Sequence, residues 1–201
     1  MDGIDLMASA MQAMKLRLDV AAGNLANASS DGFRRSVAHV VLGARGLTTT
    51  TAPDASAGAL KHTGRSFDLA VAGRGGFMVR AAAGKTEAVT TASFVRDASG
   101  HLLDGRGRML LGEGGPLRVA SDATIDDRGV VRAAGVVTGR VRLTEGASLQ
   151  SGFLVASNVD AVREMVDVLE AQRAFETAQK SVTALDDARS KAANELARVR
   201  A

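Results

Sequence analysis

The chain has 201 residues, 46% hydrophobic and 23% charged, which suits one compact unit with extended ends or two small units. It contains no cysteine, tryptophan or tyrosine, which excludes a disulfide framework and a thiolate metal site and leaves a core built from Ala, Val, Leu and six Phe. The net charge of +3 is thin and dispersed, with thirteen basic against nine acidic side chains over 61–145 and near balance on either side; nucleic-acid binding would call for a clustered footprint with stacking aromatics.

The first segment reads as a helix. Ile4, Met7, Met11, Met14, Leu18, Ala21, Leu25 and Ala28 step by threes and fours, an a/d seam over four heptads. Asp5, Gln12, Lys15, Arg17, Asp19 and Asn24 lie between them and can face water. Asn27-Ala28-Ser29-Ser30-Asp31-Gly32 is a stop-and-turn signal. Met1 to Leu18 starts with Asp2 and Asp5 and spaces its apolar residues, so it does not read as a secretory leader, and no apolar run reaches the roughly 18 residues of a membrane span.

Residues 33–60 are poorly patterned. The run from Thr48 through Pro53 to Gly58 reads as a flexible connector. Over 61–145 glycine becomes frequent and short apolar runs alternate with turns: Phe67–Val71 up to Gly73, Gly76–Val79, Ser93–Val95 before Asp97–Gly100, Met109–Leu111 up to Gly112, then Val130-Val131, Val136-Val137 and Val141–Leu143. Short strands at regular spacing predict a small all-β unit, and the lack of intervening helical stretches argues against a doubly wound α/β fold.

The last segment, 146–201, is helical again. Asn158-Val159-Asp160 can cap its start. Val168, Ala171, Phe175, Ala178, Val182, Leu185, Ala192, Leu196 and Val199 follow the three-four alternation, with Arg189 the one break, while Val162, Met165, Val166 and Leu169 add a second apolar edge. The expected fold class is therefore α+β: N- and C-terminal α-helices with coiled-coil-like seams flanking a small, mainly antiparallel β domain. The expected boundaries are 1–32, 33–60, 61–145 and 146–201.

An amphipathic helix of this length is marginal alone, because ordering each backbone residue costs roughly 1–2 kcal/mol and an alanine-rich seam returns little until something covers it. Either the two terminal helices cover each other as a hairpin, or they meet other subunits.

No chemical site emerges. Gly73-Arg74-Gly75-Gly76 is too short for a dinucleotide fingerprint and reads as a tight turn. Asp126-Asp127 and Asp186-Asp187 are adjacent pairs whose side chains point apart, and His39, His62 and His101 lack ligand spacing. The Met7, Met11, Met14 stripe is packing material. No catalytic residue, cofactor or metal is expected.

Three stretches resemble the rod and hook proteins of the bacterial flagellum. Leu18-Asp19-Val20-Ala21-Ala22-Gly23-Asn24-Leu25-Ala26-Asn27, with Gly32-Phe33-Arg34, is similar to the family's N-terminal rod motif. Thr63-Gly64, Phe67–Val71, Gly73, Phe77 and Val79, continuing with Phe94, Asp97, Gly100, Leu102, Gly107 and Leu110-Leu111-Gly112, resemble its β domain. Gly152-Phe153-Leu154, Ser157-Asn158-Val159, Glu164-Met165-Val166 and Leu169 to Glu176 resemble its C-terminal motif. The family usually has Asn-Asn where this chain has Gly23-Asn24, and Gly-Phe-Phe where it has Gly75-Gly76-Phe77. The region after Gly129 is short, which disfavours a hook protein.

The resemblance implies a structural subunit of the flagellar basal-body rod, proximal or distal, that polymerises into a helical tube through its terminal helices. Its partners would be itself, other axial subunits and the flagellar type III export apparatus, with no nucleic acid and no membrane insertion. It would be exported to the periplasm-spanning rod without a cleaved signal. The expected subunit-contact residues are Met11, Met14, Leu18, Leu25, Asn27, Phe33, Val168, Phe175, Val182 and Leu185. The alternatives are a hook-type axial protein of the same family and a monomeric β-binding module with a helical hairpin.

Overall fold

The computed structural model describes residues 3–43, 46–81 and 84–199. Helix α1 spans Gly3–Ala26. The strands follow: β1 Ser36–Gly43, β2 Gly46–Pro53, β3 Leu60–His62, β4 Asp68–Ala72, β5 Phe77–Arg80, β6 Thr86–Val89, β7 Thr91–Arg96 and β8 Leu102–Asp104. Then come β9 Met109–Gly112, β10 Gly115–Pro116, β11 Thr124–Ile125, β12 Val130–Ala133, β13 Val136–Arg140, β14 Ser148–Ser151, β15 Phe153–Val155 and helix α2, Ala161–Val199. The class is α+β, two terminal helices around a β region in which every described pairing is antiparallel. The chain divides into two units: the described parts of 1–28, 34–56 and 159–201 form one, and 29–33 with 57–158 form the other.

The helical unit is bounded by local chemistry. At the end of α1, the Asn27 side-chain amide donates to the Gly23 carbonyl at 2.9 Å and the Asn27 N–H to the Asn24 carbonyl at 3.0 Å, so the last carbonyls are satisfied as the helix stops. At the start of α2, Asp160 Oδ1 accepts the N–H groups of Val162 (3.0 Å) and Arg163 (3.2 Å), the N-cap that the sequence offers at this position.

The stretch expected to be a flexible connector, 33–60, instead carries a β-hairpin. β1 and β2 pair from Ser36↔Pro53 through Val40↔Thr49 to Gly43↔Gly46, and both strands pack on α1. The threonine run looked like low complexity, but threonine is β-branched and favours a pleated, half-covered surface once a partner strand such as Val37–Leu42 is available.

The β unit is built around a sheet with the strand order β14-β4-β7-β8-β9-β5-β6, with β10 added beside β9, and a three-stranded sheet β11-β12-β13. Its core is Leu69, Val71, Phe77, Val79, Phe94, Leu102, Leu110, Leu117, Val119, Ala123, Ile125, Val131, Val141 and Leu149. Phe94 lies edge-on to Phe77 with centroids 5.8 Å apart. The Gly73–Gly76 stretch is a turn between β4 and β5, with φ of 91° at Gly73 and 100° at Gly75. A side chain at Gly76 would meet the Val89 carbonyl at 2.7 Å, which is why this chain has glycine before Phe77. Strand structure runs on to Val155: β14 pairs with β4, and β15 with β3 in a separate two-stranded sheet, so residues 146–158 belong with the β unit and the helix starts only at Ala161.

The polar groups of the β unit read as structural. Burial raises the Asp68 carboxyl, but hydrogen bonds with Thr63, Ser93 and Arg65 outweigh it and hold it below the ordinary aspartate value. Asp126, of the adjacent pair Asp126-Asp127, accepts the N–H groups of Arg128 and Val130 and closes a turn. His101 sits 3.4 Å from Asp97, and His62 stacks edge-on against Phe153.

Candidate functional site

The residues singled out by periodicity come together in the helical unit. Asn24 of α1 bonds Glu164 of α2, and Met7, Ala10 and Met14 share a groove with Ala174, Ala178 and Ser181, so the helices run antiparallel. They therefore cover each other within the chain. The cover is thin: among the described residues of the helical unit, the fully buried apolar side chains are the small ones of Ala13, Ala21 and Ala171. Of the expected contact residues in this unit, Met11, Met14, Leu18, Leu25, Asn27, Val168, Phe175 and Val182 are half-buried, and Leu185 is exposed. Asn27 holds the helix end, as described above. Phe33 is not among them: it lies in the β unit, where its carbonyl accepts from the Asn158 N–H at 3.4 Å.

A polar hub lies at the base of the helix pair. Glu164 and Asn24 are each 1% exposed. Glu164 Oε1 accepts from Arg35 Nε, and Glu164 Oε2 accepts from Asn24 Nδ2 at 3.2 Å. Asn24 Nδ2 also donates to the Ser36 carbonyl at 2.9 Å, and Asn24 Oδ1 accepts the Ser36 N–H at 2.8 Å. Arg35 Nη2 reaches Asp167 at 3.5 Å. One carboxylate thus ties α1, the entry to β1 and α2 together, and no buried side-chain N or O among the described residues lacks a partner.

The sequence reading placed Asn24 facing water and did not single out this hub. A signal was present: Glu164 continues the seam backward from Val168 and Ala171 by four and three. A charged residue in a seam frame is where a buried partner should be sought.

The second apolar edge stays outside. Val162, Met165, Val166 and Leu169 are 72%, 51%, 49% and 54% exposed. Among the described residues no group of three or more His, Asp or Glu is placed to hold a metal ion, and no helix is long and apolar enough to cross a membrane.

Two family models match. The flagella basal body rod protein model covers residues 4–34, and the flagellar basal body rod FlgEFG protein C-terminal model covers residues 150–196. The flagellar basal-body rod protein FlgF of Escherichia coli K12 is 30% identical over 220 residues, 84% of this chain and 87% of that protein. The rod protein FlgG of Agrobacterium fabrum is 26% identical over 252 residues, 93% of this chain and 96% of that protein. The flagellar hook protein FlgE of Brucella abortus is 33% identical, but over 117 residues, 53% of this chain and 30% of that protein.

Proposed function

Because the chain belongs to the flagellar basal-body rod protein family, we propose that it takes its place in the rod as a structural subunit whose terminal helices make the axial contacts. The supporting observation is the thin cover of the helix pair. A seam of alanines leaves its larger side chains half-exposed, which suits further helices packing around it in an assembly. Its partners in this reading are other axial subunits of the flagellum and its own copies, and its role is mechanical. In this reading it reaches the rod through the flagellar export apparatus. A rod role is preferred over a hook role because the rod relatives match along nearly their whole length, whereas the hook match spans under a third of that protein.

Leu25→Asp and Leu185→Asp each put a charge on the helical layer while leaving the β unit untouched. Each variant is expected to be exported yet to be missing from isolated basal bodies, with motility lost. Normal incorporation of both would move the axial contact away from the helices. A β-binding module, by contrast, would keep a rigid, protease-resistant helix pair as a monomer and bind its partner unaltered by either substitution.

A further inference from the structure

The seam between α1 and α2 repeats itself. Asn24 bonds Glu164, and counting equally from that pair sets Met14, Ala10 and Met7 opposite Ala174, Ala178 and Ser181, which line one groove with them. Along the covered face of α2, Glu164 is followed at heptad spacing by Ala171 and Ala178, and Val168 by Phe175 and Val182. Moving α1 one heptad towards the end of α2 would put Ala171 in the place of Glu164, Ala178 in that of Ala171, and Phe175 and Val182 in those of Val168 and Phe175. There is room for the move: α1 has 24 residues and α2 has 39, so α2 runs on past the start of α1 through 186–199. Burial of such similar side chains differs little between the two alignments and does not choose between them.

The polar hub does choose. Asn24 holds both the N–H and the carbonyl of Ser36, so α1 and the start of β1 form one piece. The polar ties from α2 to that piece are Glu164, which accepts from Arg35 and Asn24, and Asp167, which faces Arg35. One heptad on, those two places are taken by Ala171 and Ala174. The slide thus takes Arg35 away from both carboxylates and Glu164 away from both donors, and separating a buried ion pair is strongly unfavourable. A polar residue in an otherwise repetitive apolar seam fixes register at some cost in stability.

We propose that the Arg35–Glu164–Asn24 hub is a register lock, which selects one of the helix alignments that the α1–α2 seam itself accepts. The inference concerns the helical unit alone and stands apart from the rod reading.

The chain has no cysteine, so introduced pairs report the alignment without background. Ala10→Cys with Ala178→Cys, and Met7→Cys with Ser181→Cys, report the native alignment. Ala10→Cys with Leu185→Cys, and Met7→Cys with Ala188→Cys, report the alignment one heptad on. The two differ by about 10 Å along the helix, more than the roughly 7 Å that a disulfide tolerates between Cα atoms. Each pair is mildly oxidised in dilute full-length chain, and the internal disulfide is read by mass and gel mobility. In the parent, native pairs are expected at least about tenfold above shifted ones. Arg35→Ala with Glu164→Ala removes both charges together and makes the 164, 171, 178 column all alanine. In that background the shifted pairs are expected to rise to within about threefold of the native ones. Glu164→Gln keeps the capacity to bond Asn24 and Arg35 and should keep the native preference. A double-alanine chain that forms native pairs alone would overturn the proposal. A double-alanine chain that loses its helical circular dichroism would overturn it too, because the hub would then hold the helices together instead of choosing their register. The same holds for a parent that forms both sets equally.

Discussion

Phe94→Ala is expected to lower the stability of the β unit by about 3–5 kcal/mol, a large part of what a domain of this size possesses. Phe94 is 5% exposed and packs edge-on to Phe77, itself fully buried, at the centre of the core. Truncation removes the ring contact and leaves a cavity lined by side chains that strands β4, β5 and β7 hold in place, so little collapse can refill it. Phe94→Leu keeps most of the volume and should lose less than half as much. Urea unfolding of the full chain, followed by the methyl signals of Leu69 and Val79, measures both. An unchanged midpoint for Phe94→Ala would show that the ring is not a core element.

Arg35→Ala is expected to destabilise the helical unit by about 3 kcal/mol, the lower end for a broken buried ion pair, since the Arg35 side chain keeps some contact with solvent. Most of this comes from what remains: Glu164 stays buried with only Asn24 to satisfy it. For that reason the double substitution Arg35→Met with Glu164→Leu should recover most of the loss, because replacing a buried pair by apolar groups of similar size is often neutral. Helical circular dichroism during urea unfolding reads the three proteins. Arg35→Ala within about 0.5 kcal/mol of the parent, the range of an ordinary surface change, would mean the hub holds nothing together.

The pattern of what was legible in the sequence follows from which interactions are local. Both helices were readable, because Met7, Met11 and Met14 or Val168, Ala171 and Phe175 repeat at a spacing that the helix itself imposes. Strands such as Phe77–Arg80 and the Asp97–Gly100 turn were readable for the same reason. The β1–β2 hairpin was not, since its threonines gain strand character only from the opposite strand. The pairing of β14 with β4 joins Leu149 to Val71 across a long stretch of chain that no local period can report. The hub escaped notice because it is tertiary: Asn24 and Glu164 are 140 residues apart, and a polar side chain in an apolar frame looks like an interruption until its partner is seen. The unusual outward setting of Val162 to Leu169 became visible only once Glu164 was known to be inside.

The most direct measurement of the central claim is the composition and length of isolated basal bodies from cells with and without this chain. Expected is the chain in the rod fraction at a fixed copy number, resistant to washing, and a rod cut short when the chain is deleted, with length restored by the parent sequence but not by Leu25→Asp. Full-length rods in the deletion strain, with the chain absent from the basal bodies of the parent, would contradict a structural role in the rod.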